Sequence, residues 1–375
     1  MMRALAVCAG ALALLSSCRP NAHSITVIND SDIARCGEIV EIPVDVVPGL
    51  AEGKPVRILG GDSIEVPYQI THDSLLIFPA TVGPRSRAHY TILKCAPAPV
   101  DTVAWGRLFP ERKDDMAWEN DRAAYRVYGP ALQASGERAF GNDIWTKSVP
   151  YRVLEQRMYD DIVRGISFHI DHGNGMDEYA VGPTLGGGTA ALIDSAGEIV
   201  YPYCYSEYEI LDRGPLRFSV RLHYADSTRE TRTITLDAGS YLNHTVVRYD
   251  GAVPADAKVA PGIVVHAQNP DGYMLGDGYM AYADSTEHTD RDNGVIYVGV
   301  VAPMADTTLY RALEQPAGDA VGHILATSAY APATDYEYWW GSAWSKAGME
   351  SPEAWAAELE AFKARLEKPL KYEIK

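Results

Sequence analysis

The chain has 375 residues, 47% of them hydrophobic and 22% charged, and a formal net charge of −17. That length can bury a large core and has room for two domains. The acidity, with no basic stretch dense enough to neutralise phosphates, argues against nucleic acid as a partner, and any anionic ligand must be drawn by a local group of Arg, Lys and His against the general field.

The first residues read as a lipoprotein signal over 1–17. Arg3 supplies the positive start, and 4–15 is an apolar run too short to span a bilayer as a helix. Leu15-Ser16-Ser17-Cys18 then has the small-residue pattern that precedes a lipidated cysteine. A thiol at the first mature position accepts a diacylglyceryl group, and several acyl chains anchor far better than one. Cys18 is therefore the expected lipidation site, with 18–23 as tether. The chain is expected in the cell envelope, held to the membrane through its N-terminal lipid. No strongly acidic stretch follows Cys18, which favours the periplasmic face of the outer membrane. No later run is apolar enough to cross a membrane. Of the remaining thiols, Cys36 and Cys95 are compatible with a disulfide or with two free thiols, and Cys204, among tyrosines, reads as a packed thiol.

Residues 24–98 predict a small β-sandwich, with strands near 25–28, 38–47, 64–70, 75–80 and 89–94 and a hairpin turn at Gly60-Gly61-Asp62. Ala96-Pro97-Ala98-Pro99 is a stiff connector. Residues 99–350 predict a second, large antiparallel β-sandwich, with strands at 123–128, 166–170, 189–193, 198–205, 216–224, 231–236, 243–249, 262–267 and 294–301. Residues 351–375 predict a docking helix and a tail. Ser351 suits the N-cap, Pro352 the first turn, and Trp355, Leu359, Phe362 and Leu366 share one face. The class is mainly all-β with one C-terminal helix.

Three segments carry candidate chemistry. The densest, His169 to Tyr179, enters a loop interrupted by Gly173 and Gly175 and ends in Gly186-Gly187-Gly188. Its His172 or His169 suits an acid or base and Tyr179 a proton donor. A divalent metal on His169, Asp171 and His172, with Asp177 or Glu178 added, is an alternative, as is a solvated turn capped by Asp and Asn. The second, Trp118 to Arg126, offers Glu119 and Asp121 as paired carboxylates, or as ion-pair partners of arginines such as Arg122. The third, Tyr336 to Lys346, contains Trp339, Trp340 and Trp344, either core or a platform for sugar C–H faces, and ends in a cation, Lys346. His244 and His266 lie on expected strands, where packing roles are commoner than catalysis. There is no phosphate-binding Gly loop, dinucleotide fingerprint, HExxH or GxSxG, which removes most nucleotide, zinc-protease and α/β-hydrolase readings.

The stretches WENDRAAYRVYGPAL (118–132), GNDIWTKSVPY (141–151), DHGNGMDEYAVGPTLGGG (171–188), DRGPLR (212–217) and Trp-Gly-x-x-Trp-Ser-Lys (340–346) resemble the Bacteroidota domain-of-unknown-function family 4861, over most of 24–368. The resemblance implies a supersandwich like those of mutarotases and polysaccharide lyases. It also implies a place among exported proteins of polysaccharide-utilisation clusters. One branch is associated with dehydration of uronic-acid-ended oligosaccharides from ulvan.

Such a reaction abstracts the C5 proton of a uronate, which requires that the carboxylate be neutralised and a base stand near neutral pKa. On residue type, His172 is the expected base and Tyr179 the acid, with Asn174 and Lys346 on the carboxylate. His169, His266, Arg122 and Trp344 are second choices, and Trp340 joins the aromatic platform. No cofactor is required. The expected partner is a uronic-acid-containing oligosaccharide, not a nucleotide. The other readings are a glycoside hydrolase pairing Asp177 or Glu178 with Glu119, and a non-catalytic glycan-binding lipoprotein.

Overall fold

The computed structural model describes residues 23–375, so the expected signal, Cys18 and most of the tether lie outside the described residues. The protein is all-β in class, with antiparallel sheets and, among the described residues, three α-helices: α1 (Pro130–Ala134), α2 (Leu154–Arg164) and α3 (Pro352–Glu367). No helix among the described residues is long and apolar enough to cross a membrane.

The N-terminal part packs a five-stranded sheet against a three-stranded one. In spatial order the first runs Lys371–Ile374, His23–Asn29, Ser86–Leu93, Arg57–Leu59, Glu65–Val66, and the second Arg35–Pro43, Leu75–Val82, Gln69–Ile70. Ile25, Val27, Val40, Ile42, Ile58, Phe78 and Ile92 fill the space between. The edge strand at 371–374 comes from the far end of the chain, where the sequence reads only as a tail. It pairs with the first strand from Ile25↔Ile374 to Ile28↔Lys371. Cys36 and Cys95 are exposed and unbonded, and Cys204 is buried, its thiol pushed up to about 12 by burial.

The larger part packs an eight-stranded sheet on a five-stranded one. The first runs Glu207–Arg213, Arg217–His223, Glu230–Asp237, Leu242–Tyr249, Tyr336–Trp344, Ile296–Val301, Tyr279–Asp284, Tyr273–Gly276. The second runs Ile199–Val200, Gly187–Ile193, Lys258–His266, Ala320–Ala329, Thr307–Ala317. Glu230–Asp237 alternates buried and half-buried positions, as expected of a strand with one face on the core. Ile296–Val301 is buried throughout because α3 covers its second face. A side chain at Gly299 would lie 2.6 Å from Leu359 and 2.9 Å from Trp355, so the glycine allows the helix to approach. Ser351 caps α3 through Ala354 N at 3.1 Å, and Trp355 and Leu359 are fully buried, with Phe362 and Leu366 packed beside them, as the sequence predicts.

A four-stranded sheet, Asp143–Trp145, Ala124–Val127, Asp115–Glu119, Trp105–Phe109, adjoins the large sandwich and carries α2. Two expectations fail here. Residues 166–170 form turns and bends rather than a strand, and α2 is a helix that the sequence reading misses. Its N-terminus has no local side-chain cap. Instead Glu119, from a strand 34 residues earlier, accepts from Val153 N at 2.9 Å and Leu154 N at 3.0 Å.

Candidate active site

The loop after α2 is shaped by its own polar groups. Asp171 Oδ1 accepts from Gly173 N at 2.8 Å and Gly175 N at 2.9 Å, closing a turn whose glycines have φ of 92° and 103°. A Cβ at Gly175 would stand 2.2 Å from Thr146 O, so that position excludes any side chain. Asp171 is therefore a turn residue. The neighbouring His172 donates from Nε2 to Ser167 O at 3.0 Å, since a carbonyl can only accept. The neutral ring then carries its lone pair on Nδ1, and the residue is exposed.

Beside it lies a cavity of about 200 Å³ between α2 and the loop, lined by Arg157, Asp160, Ser167, Ile170, His172 and Asn174 among others. Arg157 is buried and donates from Nε to Asn174 Oδ1 at 3.1 Å, and from Nη2 to Asn174 O at 2.5 Å and Thr146 O at 3.0 Å. Its Nη1 has no partner. Burial lowers the guanidinium to about 10, with the Glu119, Asp171 and Asp177 carboxylates opposing the shift, so it stays charged at neutral pH. Because Asn174 Oδ1 is taken by Arg157, its amide Nδ2 is left to donate elsewhere. The sequence points to His172 and Asn174. It does not point to Arg157, whose role depends on the missed helix.

The middle of the motif is a buried charge cluster. Arg126 Nε reaches Asp143 Oδ2 at 2.8 Å, while its Nη2 reaches Asp177 Oδ2 at 3.1 Å and its Nη1 lies 3.5 Å from Asp115 Oδ2. Burial pushes Asp177 well above the ordinary carboxylate range, with Asp143 adding repulsion, and pushes Asp115 up to about 6. His169 donates from Nδ1 to Asp177 O at 2.7 Å, leaving Nε2 outward on a half-exposed ring.

Several sequence candidates have other duties. Glu119 pairs with buried Lys147 at 2.7 Å and caps α2, so it is no partner carboxylate for Asp177 or Glu178. Glu178 is buried against His288 at 2.8 Å and Arg291 at 3.5 Å. Tyr179 is buried with an unpartnered hydroxyl, its ring 5.8 Å from that of His266, and no hydrogen bond joins it to His172. Burial raises its pKa far above the ordinary phenol value. His266 contacts Asp284 Oδ2 through Nδ1 at 2.5 Å and Ala180 O through Nε2 at 2.9 Å. Burial disfavours its charge, but the Asp284 hydrogen bond and charge outweigh that and raise its pKa. With both nitrogens engaged, it offers no free lone pair as a base.

Lys346 sits on Asp292, its Nζ 3.3 Å from the carboxylate, and is not among the groups lining the His172 cavity. Trp340 is fully buried and donates to Thr245 Oγ1 at 2.8 Å, and Trp344 is buried and donates to Asn293 O at 2.8 Å, so both belong to the core rather than a platform. His244 pairs with Glu337 at 3.2 Å on the strand surface, and Arg122 is exposed in a groove lined by neither His172 nor Asn174. His169, Asp171 and His172 do not converge as a ligand set, and no group of three such side chains suited to a metal occurs among the described residues.

The sequence profile of a family described as "Domain of unknown function (DUF4861)" matches residues 27–371. A curated relative, "Uncharacterized protein P7" of Formosa agariphila, is 26% identical over 401 residues, covering 97% of each chain. Among solved structures, a protein in glycosyl hydrolase family 38 from Enterococcus faecalis aligns with a TM-score of 0.49 at 9% identity, over 94% of this chain and 47% of that one. An α-mannosidase from Enterococcus faecalis V583 aligns with a TM-score of 0.49 at 10% identity, over 94% and 46%. The chain thus spans about half the length of these two structures.

Proposed function

The chain belongs to the DUF4861 family, whose description assigns no reaction, and we propose for it the elimination of water, or of a sugar, across C4–C5 of a terminal uronic acid in an oligosaccharide. One observation carries the proposal. A single cavity is lined by an imidazole with a free ring nitrogen, a buried arginine whose hydrogen-bonding capacity is not fully used, and an amide with a free donor. These are the groups that proton abstraction beside a carboxylate requires.

In this reading the Arg157 side chain and Asn174 Nδ2 hold the substrate carboxylate, so that negative charge developing at C5 is stabilised by donors already in place. His172 Nδ1 removes the C5 proton. The C4=C5 bond forms as the C4–O bond breaks, and the imidazolium of His172 returns the same proton to the departing oxygen. Arg157 takes the role that the sequence gives to Lys346, and His172 serves as both base and acid because Tyr179 is buried elsewhere. The balance closes without an external oxidant or a cofactor. The substrate would be met at the periplasmic face of the outer membrane, the chain being tethered by lipid on Cys18.

The test is incubation of the chain with a panel of uronate-ended oligosaccharides, recording enoate absorbance and product masses. New absorbance with loss of one water means dehydration, and absorbance with chain cleavage means a lyase. Cleavage without absorbance would replace this reading by hydrolysis, and no change across the panel by glycan binding alone. His172→Ala is expected to lower turnover by about 10²–10⁴-fold, the range for losing a general base. Arg157→Gln is expected to lower kcat/KM by about tenfold or more, since it removes the charged donor to the substrate carboxylate.

A further inference from the structure

A second cavity, of about 510 Å³, opens where the Arg35–Pro43 strand, the outer face of the eight-stranded sheet and α3 meet. It is more than twice the volume of the His172 cavity, and no lining residue is shared between the two. Its half-buried aromatic side chains are Tyr241, Trp339 and Phe362. Such a surface suits the C–H face of a sugar ring.

The charges around it are unequal in availability. Its three carboxylates are already paired: Glu38 with Arg35 at 2.8 Å, Asp237 with Arg217 at 2.6 Å, and Glu358 with Arg365 at 2.9 Å. His244 is paired with Glu337 at 3.2 Å and stacked on Trp339, ring centroids 4.8 Å apart. Arg122 differs. Its nearest carboxylate oxygen is on Asp121 at 3.9 Å, and the other oxygen of that carboxylate accepts from Gly239 N at 2.6 Å. The exposed guanidinium lies 5.3 Å from the Tyr241 ring centroid and makes no side-chain hydrogen bond. In a chain of net charge −17, the groove's available charge is therefore positive and lies beside an aromatic surface.

We propose that this groove is a second saccharide-binding site, separate from the His172 cavity, which takes a uronate residue with its ring against Tyr241 and Trp339 and its carboxylate on Arg122. The choice of uronate rests on the reaction proposed above, while the groove's preference for an anionic sugar rests on its own charges. A site of this kind would hold an oligosaccharide to the protein independently of the residue undergoing elimination.

The test is calorimetric titration of the His172→Ala chain, which blocks turnover, with a uronic acid disaccharide. Two molecules bound per chain are expected, falling to one in the Arg122→Glu, His172→Ala chain. Raising the salt should weaken the Arg122-dependent event several-fold, since the pair is partly exposed. Arg122→Lys should retain it with reduced affinity, which separates loss of charge from loss of fold. A single bound molecule regardless of Arg122, equal binding of a neutral disaccharide, or no binding at all would each overturn the proposal. Enoate formation by the unaltered chain is read separately. If it is absent while Arg122-dependent binding persists, the reaction falls and the groove stands; the reverse removes the groove alone.

Discussion

Asp115 is 1% exposed, its Oδ1 lacks a partner, and its carboxyl is pushed up to about 6 from an ordinary 3.8, chiefly by burial. A carboxyl raised in the folded state favours folding below its unfolded pKa and loses that advantage as pH rises through its folded pKa. The shift corresponds to about 3 kcal/mol by pH 8. Asp115→Asn should therefore match the unaltered chain in denaturant midpoint near pH 4 and exceed it at pH 8. A constant difference across that range would mean that Asp115 titrates alike in the folded and unfolded chains, so that folding does not raise its pKa. His172 and Asn174 are legible in the sequence because a glycine-interrupted loop rich in His, Asp and Asn is a recognisable way to build a site. Tyr179 and His266 share the same residue-type signal, yet the fold buries both, and burial cannot be read from residue type.

At the scale of elements, α2 and α3 differ in where their ends are specified. The N-terminus of α3 is written locally in Ser351, and Ser351→Ala should cost about 1 kcal/mol by thermal or chemical denaturation. That of α2 is written in Glu119, which also neutralises fully buried Lys147. Glu119→Ala leaves two backbone donors unpaired and a buried ammonium without its counter-charge, held only by Asn120 O at 2.5 Å, and should cost about 3–5 kcal/mol. On the proposed reaction it should also raise KM for a uronate-ended oligosaccharide, because Arg157 lines the cavity from α2. Unaltered stability in that variant would show that the Asn120 carbonyl alone satisfies Lys147 and that α2 does not depend on the Glu119 cap. The sequence reveals α3 and conceals α2 for this reason: local caps are visible in a window of a few residues, and a carboxylate arriving from another strand is not. The long strands with regular alternation, such as Glu230–Asp237 and Leu242–Tyr249, are readable on the same grounds.

At the scale of the whole molecule, the two sandwiches are fastened by side chains that cross between them. Gln69 Oε1 accepts from Leu216 N at 3.0 Å and Arg217 N at 2.8 Å, and His72 contacts Asp212 at 2.8 Å. The groove between them depends on that docking, whereas the His172 cavity lies wholly within the larger part. Removing residues 371–375 would leave the His23–Asn29 strand as an exposed sheet edge, with His23–Asn29 still paired to Ser86–Leu93 on its other side. Such a truncation should lower the midpoint for the small sandwich and promote aggregation, followed by light scattering during heating. A truncated chain as soluble as the original would show that the edge is protected in another way. The all-β class and the C-terminal helix are legible from strand spacing and the Ser351 cap, but the return of the chain to its first sheet is not, since the pairing joins residues as far apart as Ile25 and Ile374.

That returning strand also imposes an order of events. Ser24 and Lys375 exchange both backbone hydrogen bonds at 2.9 Å, so one edge of the first sheet is closed by residues made long after their partners. While the chain emerges vectorially, the small sandwich waits with one edge open until everything between has been produced. During that interval the His23–Asn29 strand, though paired to Ser86–Leu93, keeps a row of backbone donors and acceptors open to any passing extended segment, and the strand at 371–374 is what closes it.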